Sequence, residues 1–392
     1  MTPEDIARYR AETQGVKHVL HFNNAGSSLT PDPVHNTVVA HLERERQIGG
    51  YEAKDEAASR MQAFYSEASG LIGAAPDEIA YVENATRAWD MAFYSLPLKE
   101  GDVILTAQAE YSSNYLAYLQ MAKRKGVVIE VVPDDNQGQL DVAALKRMIT
   151  ARTRLISITH IPTHGGLINP AAEIGKVARS AGVPFLLDAC QSVGQLDVNV
   201  EEIGCDMLSA TGRKFLRGPR GTGFLYVKRE LANRLEPVFV DLHSADWPED
   251  NEYTLAPGAL RFENWECYYA GKLGLAEAIR YARSIGLKEI EQRVLGLAKL
   301  LREELSKLRG VTLTDTGTRQ SGIVTFVKQG HAAETIKMAL RAQGINVSVS
   351  SGDRARFDLL KRGYHDVVRA SVHYYNTEDE IARFIRAIGE FK

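Results

Sequence analysis

The chain has 392 residues, 47 Lys plus Arg against 50 Asp plus Glu, and only 3 Cys. A formal charge of −3 provides no basic field for gathering nucleic acid, and 44% apolar with 25% charged residues is enough to build a large buried core. Cys190, Cys205 and Cys267 have no CxxC spacing and form no even-numbered framework, which argues against a thiolate zinc site or a disulfide-stapled secreted domain and for a reducing, cytoplasmic compartment. The opening MTPEDIARYRAETQG carries both signs of charge, unlike a signal peptide, and no apolar run approaches the roughly 18 residues of a membrane span.

Residues 1–20 are expected to pack near a smaller C-terminal domain. Strands are predicted at 78–82, 103–106, 127–132, 154–159, 184–188, 205–210 and 223–227, several of them continuous Val/Ile/Leu runs that suit a sheet covered on both faces. Helices are predicted between them at 86–95, 114–125, 142–148 and 171–181. This alternation predicts an α/β domain over 21–275 with a mostly parallel seven-stranded sheet. Two long helices, 269–285 and 287–308, are broken at Gly286. Strands at 311–314, 322–327, 345–350 and 367–373, with helices at 332–342 and 377–388, then predict a smaller α+β domain over 276–392.

Between two apolar strands lies a glycine-rich basic loop, Thr211-Gly-Arg-Lys-Phe-Leu-Arg-Gly-Pro-Arg-Gly-Thr-Gly223. It matches neither GxxxxGK[ST] nor GxGxxG. It reads as a solvated basic turn, as a phosphate cradle, or as the seat of a chemical lysine. Arg213 beside Lys214 disfavours a second positive charge, and a neutral amine is what forms a Schiff base. Asp188 ends the apolar run 184–188, where open α/β sheets bind ligands. A carboxylate buried there needs a cation, and a pyridinium nitrogen is one. Gln191 follows within reach of a ring hydroxyl. Thr86, in Tyr81-Val-Glu-Asn-Ala-Thr-Arg87, opens a helix whose free N–H groups suit a phosphate.

These residues resemble the class V aminotransferase family, fold type I pyridoxal-phosphate enzymes that include cysteine desulfurases. The resemblance runs from His21-Phe-Asn-Asn-Ala-Gly-Ser-Ser28 to Tyr375-Asn-Thr377. It implies that Lys214 carries pyridoxal 5′-phosphate, that Asp188 and Gln191 hold its ring nitrogen and oxygen, and that Ala85, Thr86, Thr211 and Arg213 bind its phosphate. It implies that Tyr111 stacks on the ring, that Thr163 lies beside it, and that Arg369 grips the substrate carboxylate, with Asn24 and Arg354 also on the substrate. It further implies a homodimer with active sites between subunits; Asn264 stands where a residue often reaches the partner's phosphate.

The departures bear on the reaction. The small-domain loop that carries the desulfurase nucleophile is Val349-Ser-Ser-Gly-Asp-Arg-Ala-Arg-Phe-Asp358 here, without Cys. The loop around Lys214 resembles carbon–sulfur lyases, such as those acting on cystine and hercynylcysteine sulfoxide. The expected reaction is β-elimination from an S-substituted cysteine or cysteine sulfoxide, with Tyr111 protonating the leaving sulfur and Arg354 and Arg356 reading a second carboxylate or acidic substituent. Transamination or epimerisation on the same scaffold is the alternative, and a catalytically silent scaffold a third. His160 and His164 read as active-site neighbours or structural residues, without a metal.

Overall fold

The computed structural model describes residues 1–391. Seven strands form the central sheet: β1 (Ile79–Val82), β2 (Val103–Ala107), β3 (Val128–Val132), β4 (Thr153–Thr159), β5 (Phe185–Asp188), β6 (Met207–Thr211) and β7 (Gly223–Val227). Their order across the sheet is β1-β7-β6-β5-β4-β2-β3. β7 runs antiparallel to both neighbours and every other pair is parallel. β1, β2, β5, β6 and β7 are buried at every position, as their unbroken apolar runs require when helices cover both faces. Two apolar clusters fill the two sides, one including Leu105, Ile156 and Leu187, the other Ile104, Leu155 and Leu186. The alternation of consecutive residues between clusters is the two-residue period of a strand.

A second sheet is wholly antiparallel, in the order Val311–Leu313, Ile323–Lys328, Asp366–Ser371, Ser348–Ser351. Its core draws on the helices Leu287–Ser306, Ala333–Ala342 and Glu378–Gly389. The single strand predicted at 345–350 is two strands. Ile345–Asn346 pairs with Leu20–His21, and Ser348–Ser351 pairs with the second sheet, so the chain changes partners at Val347.

The helices Asp32–Ile48, Gly50–Glu56 and Ala58–Ile72 were not predicted. Asp32–Ile48 buries only Val34 and His41, too sparse a pattern to register as an amphipathic stripe. The N-terminal helix Pro3–Ala11 starts with a capping box between Thr2 and Asp5. Tyr9 meets Tyr374 edge to face at 5.5 Å, and the Arg10 guanidinium donates to Tyr375 O at 2.8 Å and to Glu380 at 2.9 Å. This helix therefore rests on the C-terminal part of the chain.

Candidate active site

The loop after β6 is held by its own backbone and by a buried guanidinium. Gly218 N donates to Gly212 O at 2.8 Å. Arg217 is 1% exposed and adopts a left-handed φ of 60°. It donates to Leu29 O at 2.8 Å, to Thr13 Oγ1 at 2.6 Å and to the Tyr374 hydroxyl at 2.5 Å. The basic loop is thus a clamp rather than a solvated turn, because three oxygens satisfy the guanidinium inside the protein. Lys214 is buried on this clamp. Burial is the largest cause lowering its pKa, and the Arg213 charge named from the sequence adds to it.

Opposite stands Asp188, buried at the end of β5. Its Oδ1 accepts from Cys190 N at 2.9 Å and its Oδ2 from Asn114 Nδ2 at 3.0 Å. Asn114 Nδ2 is also 3.0 Å from Glu110 Oε1, so one amide bridges two buried carboxylates. Glu110 further accepts from Tyr111 N at 2.7 Å, from the Thr106 hydroxyl at 2.9 Å and from the Thr159 hydroxyl. Burial pushes the Glu110 carboxyl up to about 7, and the nearby Asp188 charge adds to it. Burial raises Asp188 as well, against its hydrogen bonds and the Lys214 charge. Glu110 and Asn114 were not singled out from the sequence. An acid just beyond the apolar run 103–106 is the signal that marked Asp188.

On the substrate side, Gln191 Nε2 donates to Ala25 O at 3.0 Å and to Thr163 Oγ1 at 2.9 Å, while its Oε1 has no partner among the described residues. Arg369 donates to Thr163 Oγ1 at 2.6 Å and Thr163 O at 3.0 Å, and to Asn23 Oδ1 at 3.3 Å; its Nε is unpartnered among the described residues. Burial lowers Arg369 to about 10, and Arg213 adds to this. Tyr111 lies at the cleft within electrostatic reach of Arg369. Asn24, expected on the substrate, is instead fully buried, donating to Ser371 O at 2.8 Å and accepting from the Tyr375 hydroxyl at 2.5 Å. Those bonds use it as a joint, and its neighbour Asn23 meets Arg369. Arg354 is exposed on the loop after Ser348–Ser351.

On the far side, Asn84 caps the helix Ala85–Tyr94 by accepting from Arg87 N at 2.9 Å, which leaves the first-turn N–H groups of Ala85 and Thr86 facing the cleft. A Cβ on Gly223 would come within 2.6 Å of Ala210 O and 3.1 Å of Asn84 Cα, so only glycine lets the helix start this close to the sheet. Thr211 and Arg213 also line the cleft, although the Arg213 guanidinium donates to Gly26 O. Asn264 is not among the residues lining it; its amide is 3.5 Å from Asp241 Oδ2.

A buried lysine facing a buried carboxylate, beside a helix N-terminus and a glutamine with a spare oxygen, fits a phosphorylated pyridine aldehyde. The profile of the aminotransferase class-V family matches residues 20–384. The chain belongs to this family. Pyridoxal phosphate is its cofactor. Similar curated proteins are probable cysteine desulfurases from Pyrococcus abyssi, 30% identical over 99% of this chain and 97% of that one, and from Methanothermobacter thermautotrophicus, 28% identical over 97% and 96%. A solved apo cysteine desulfurase from Thermococcus onnurineus superposes with a TM-score of 0.92 at 28% identity, covering 100% of this chain and 98% of that one. A cystine C–S lyase solved with its product cysteine persulfide has the same fold, with a TM-score of 0.87 at 24% identity over 97% and 99% of the two chains.

Proposed function

We propose that this class-V enzyme cleaves the C–S bond of an S-substituted cysteine or cysteine sulfoxide by β-elimination. The observation that carries the reading is a pocket with the lysine and carboxylate of α-proton chemistry, facing a small-domain loop that bears Arg354 and Arg356 and no thiol. Cys190 lines the pocket, but burial raises its pKa, against what a nucleophilic thiolate needs.

Lys214 would hold pyridoxal phosphate, with Asp188 at the ring nitrogen, Gln191 and Thr163 at the ring oxygen, Tyr111 on the ring face, and Ala85, Thr86, Thr211 and Arg213 around the phosphate. Bound there, the cofactor supplies an electron sink. Arg369 binds the α-carboxylate and orients Cα. The Lys214 amine, poorly charged because it is buried, takes the α-proton. Tyr111 gives a proton to the sulfur as it leaves Cβ. With one water consumed, the products are a thiol, pyruvate and ammonia.

We infer a cytoplasmic homodimer. Three free thiols suit a reducing compartment. Val238, Phe239, Val240 and Leu242 stand exposed in one stretch, and Arg87, next to the phosphate turn, lies over the Phe239 ring at 4.7 Å. Covering such a patch with a second copy would bring Asn264 and its loop toward a neighbouring phosphate site. The test is a panel of S-substituted cysteines and cysteine sulfoxides with the holoenzyme, following pyruvate and cofactor absorbance together. Pyruvate and ammonia without a keto acid support the lyase. Stoichiometric pyridoxamine phosphate without pyruvate overturns it in favour of transamination.

A further inference from the structure

His164 is buried in the turn between Thr163 and Gly165, at 6% exposure, and neither of its ring nitrogens has a partner among the described residues. Buried histidines elsewhere in this fold are satisfied. His373 places Nε2 2.9 Å from Phe215 O and accepts from Tyr374 N at Nδ1 at 2.8 Å. A buried polar ring left bare beside an active site is a vacancy for a ligand group.

Its surroundings state which group. The charges of Arg369, Lys214 and Arg354 all act on the ring, and with burial they lower its pKa to about 4. The ring is therefore a neutral donor among cations. Arg354 makes no hydrogen bond or ion pair of its own among the described residues, whereas the nearby Asp358 is already paired with Arg362 at 2.6 Å. The two segments are fixed. Gly166 N donates to Asp315 Oδ1 at 3.1 Å, and a Cβ on Gly352 would strike Tyr364 O at 2.4 Å. Arg369, with its unpartnered Nε, serves the α-carboxylate. The second set of free donors sits on the other side of the turn.

We propose that His164 and Arg354 form a subsite for a carboxylate on the sulfur substituent, making the preferred substrates S-substituted cysteines with a second acid group. The proposal rests on the C–S lyase reading for its substrate and deepens it. The subsite works through charge-assisted hydrogen bonds from the imidazole N–H and the guanidinium.

The test is calorimetry on the holoenzyme with two thioether acids that lack an amine and cannot react. These are 3-(carboxymethylthio)propionate, with two carboxylates, and 3-(ethylthio)propionate, with one. The wild type is expected to bind the diacid about tenfold more tightly. His164→Ala and Arg354→Gln should each reduce that preference to about threefold or less, leaving the mono-acid affinity unchanged and so controlling for folding. Equal affinity for the two acids in the wild type, or an intact preference in both variants, overturns the subsite. Pyruvate release from S-carboxymethylcysteine and S-ethylcysteine is measured in parallel. A binding preference without pyruvate from either sinks the lyase reading and leaves the subsite, and pyruvate from both without a preference does the reverse.

Discussion

Glu110 is a carboxylate without a cation, and its protonation should be visible in stability. Its Oε1 faces donors that cannot turn around, Tyr111 N and Asn114 Nδ2, at 2.7 and 3.0 Å. Its Oε2 faces only hydroxyls, Thr106 at 2.9 Å and Tyr118 at 3.5 Å, which can rotate to accept. A proton on Oε2, or the amide of Glu110→Gln, is therefore accommodated without a clash of donors. In the unfolded chain the carboxyl loses its proton near the ordinary 4.5, but in the folded protein near 7. Between these values the folded state binds more protons, so stability falls as pH rises, and the loss is complete above the folded value. At about 1.4 kcal/mol for each pH unit, ionisation costs the wild type about 3 kcal/mol at pH 8. Glu110→Gln escapes that cost.

The assay is thermal melting of cofactor-free wild type and Glu110→Gln from pH 5 to 8.5. An unfolding entropy of about 2.1 cal/mol/K per residue converts the cost into roughly 4 °C. The variant should be no more stable than the wild type at pH 5 and should gain roughly that much on it by pH 8. A melting difference that stays constant across the range would refute the placement of Glu110 as a protonated acid. Other buried groups titrate in both proteins and cancel in the difference.

Lys214→Ala should abolish turnover while the protein still binds pyridoxal phosphate non-covalently, detected as loss of the lysine-bound absorbance with the cofactor retained after gel filtration. Arg369→Gln should raise KM for the amino acid by about a hundredfold, the ~3 kcal/mol of a charge-assisted pair, with a smaller change in kcat. Asp315→Ala should destabilise the fold by about 3–5 kcal/mol in denaturant melts, since it strips the partner from Arg302, paired at 2.7 Å with the two side chains 9% and 1% exposed.

The residues that could be read from the sequence are those whose chemistry is announced by position on a strand. Asp188 follows four apolar residues, and Lys214 follows the next strand in a glycine-rich loop, so sheet topology alone brings them to one edge. Thr86 was marked in the same way by a strand-to-helix turn. Glu110 obeys the same rule and was passed over because the eye went to Tyr111 beside it. Asn24 and Asn23 illustrate a different limit. Adjacent asparagines have equal chemistry, and only the packed loop decides that one becomes a buried joint and the other faces Arg369.

Arg217 was unreadable for a deeper reason. In composition it is one more cation in a basic loop, and burial of a guanidinium is expensive unless acceptors wait inside. Those acceptors come from Thr13, Leu29 and Tyr374, which lie far apart in sequence. The same bonds tie the lysine loop to the N-terminal segment and to the C-terminal part of the chain. The cleft between the two sheets is thus held by a residue that touches neither cofactor nor substrate. The position of Lys214 depends on three distant segments being folded at once. An isolated large sheet would carry the lysine and the aspartate without the geometry that makes them a site.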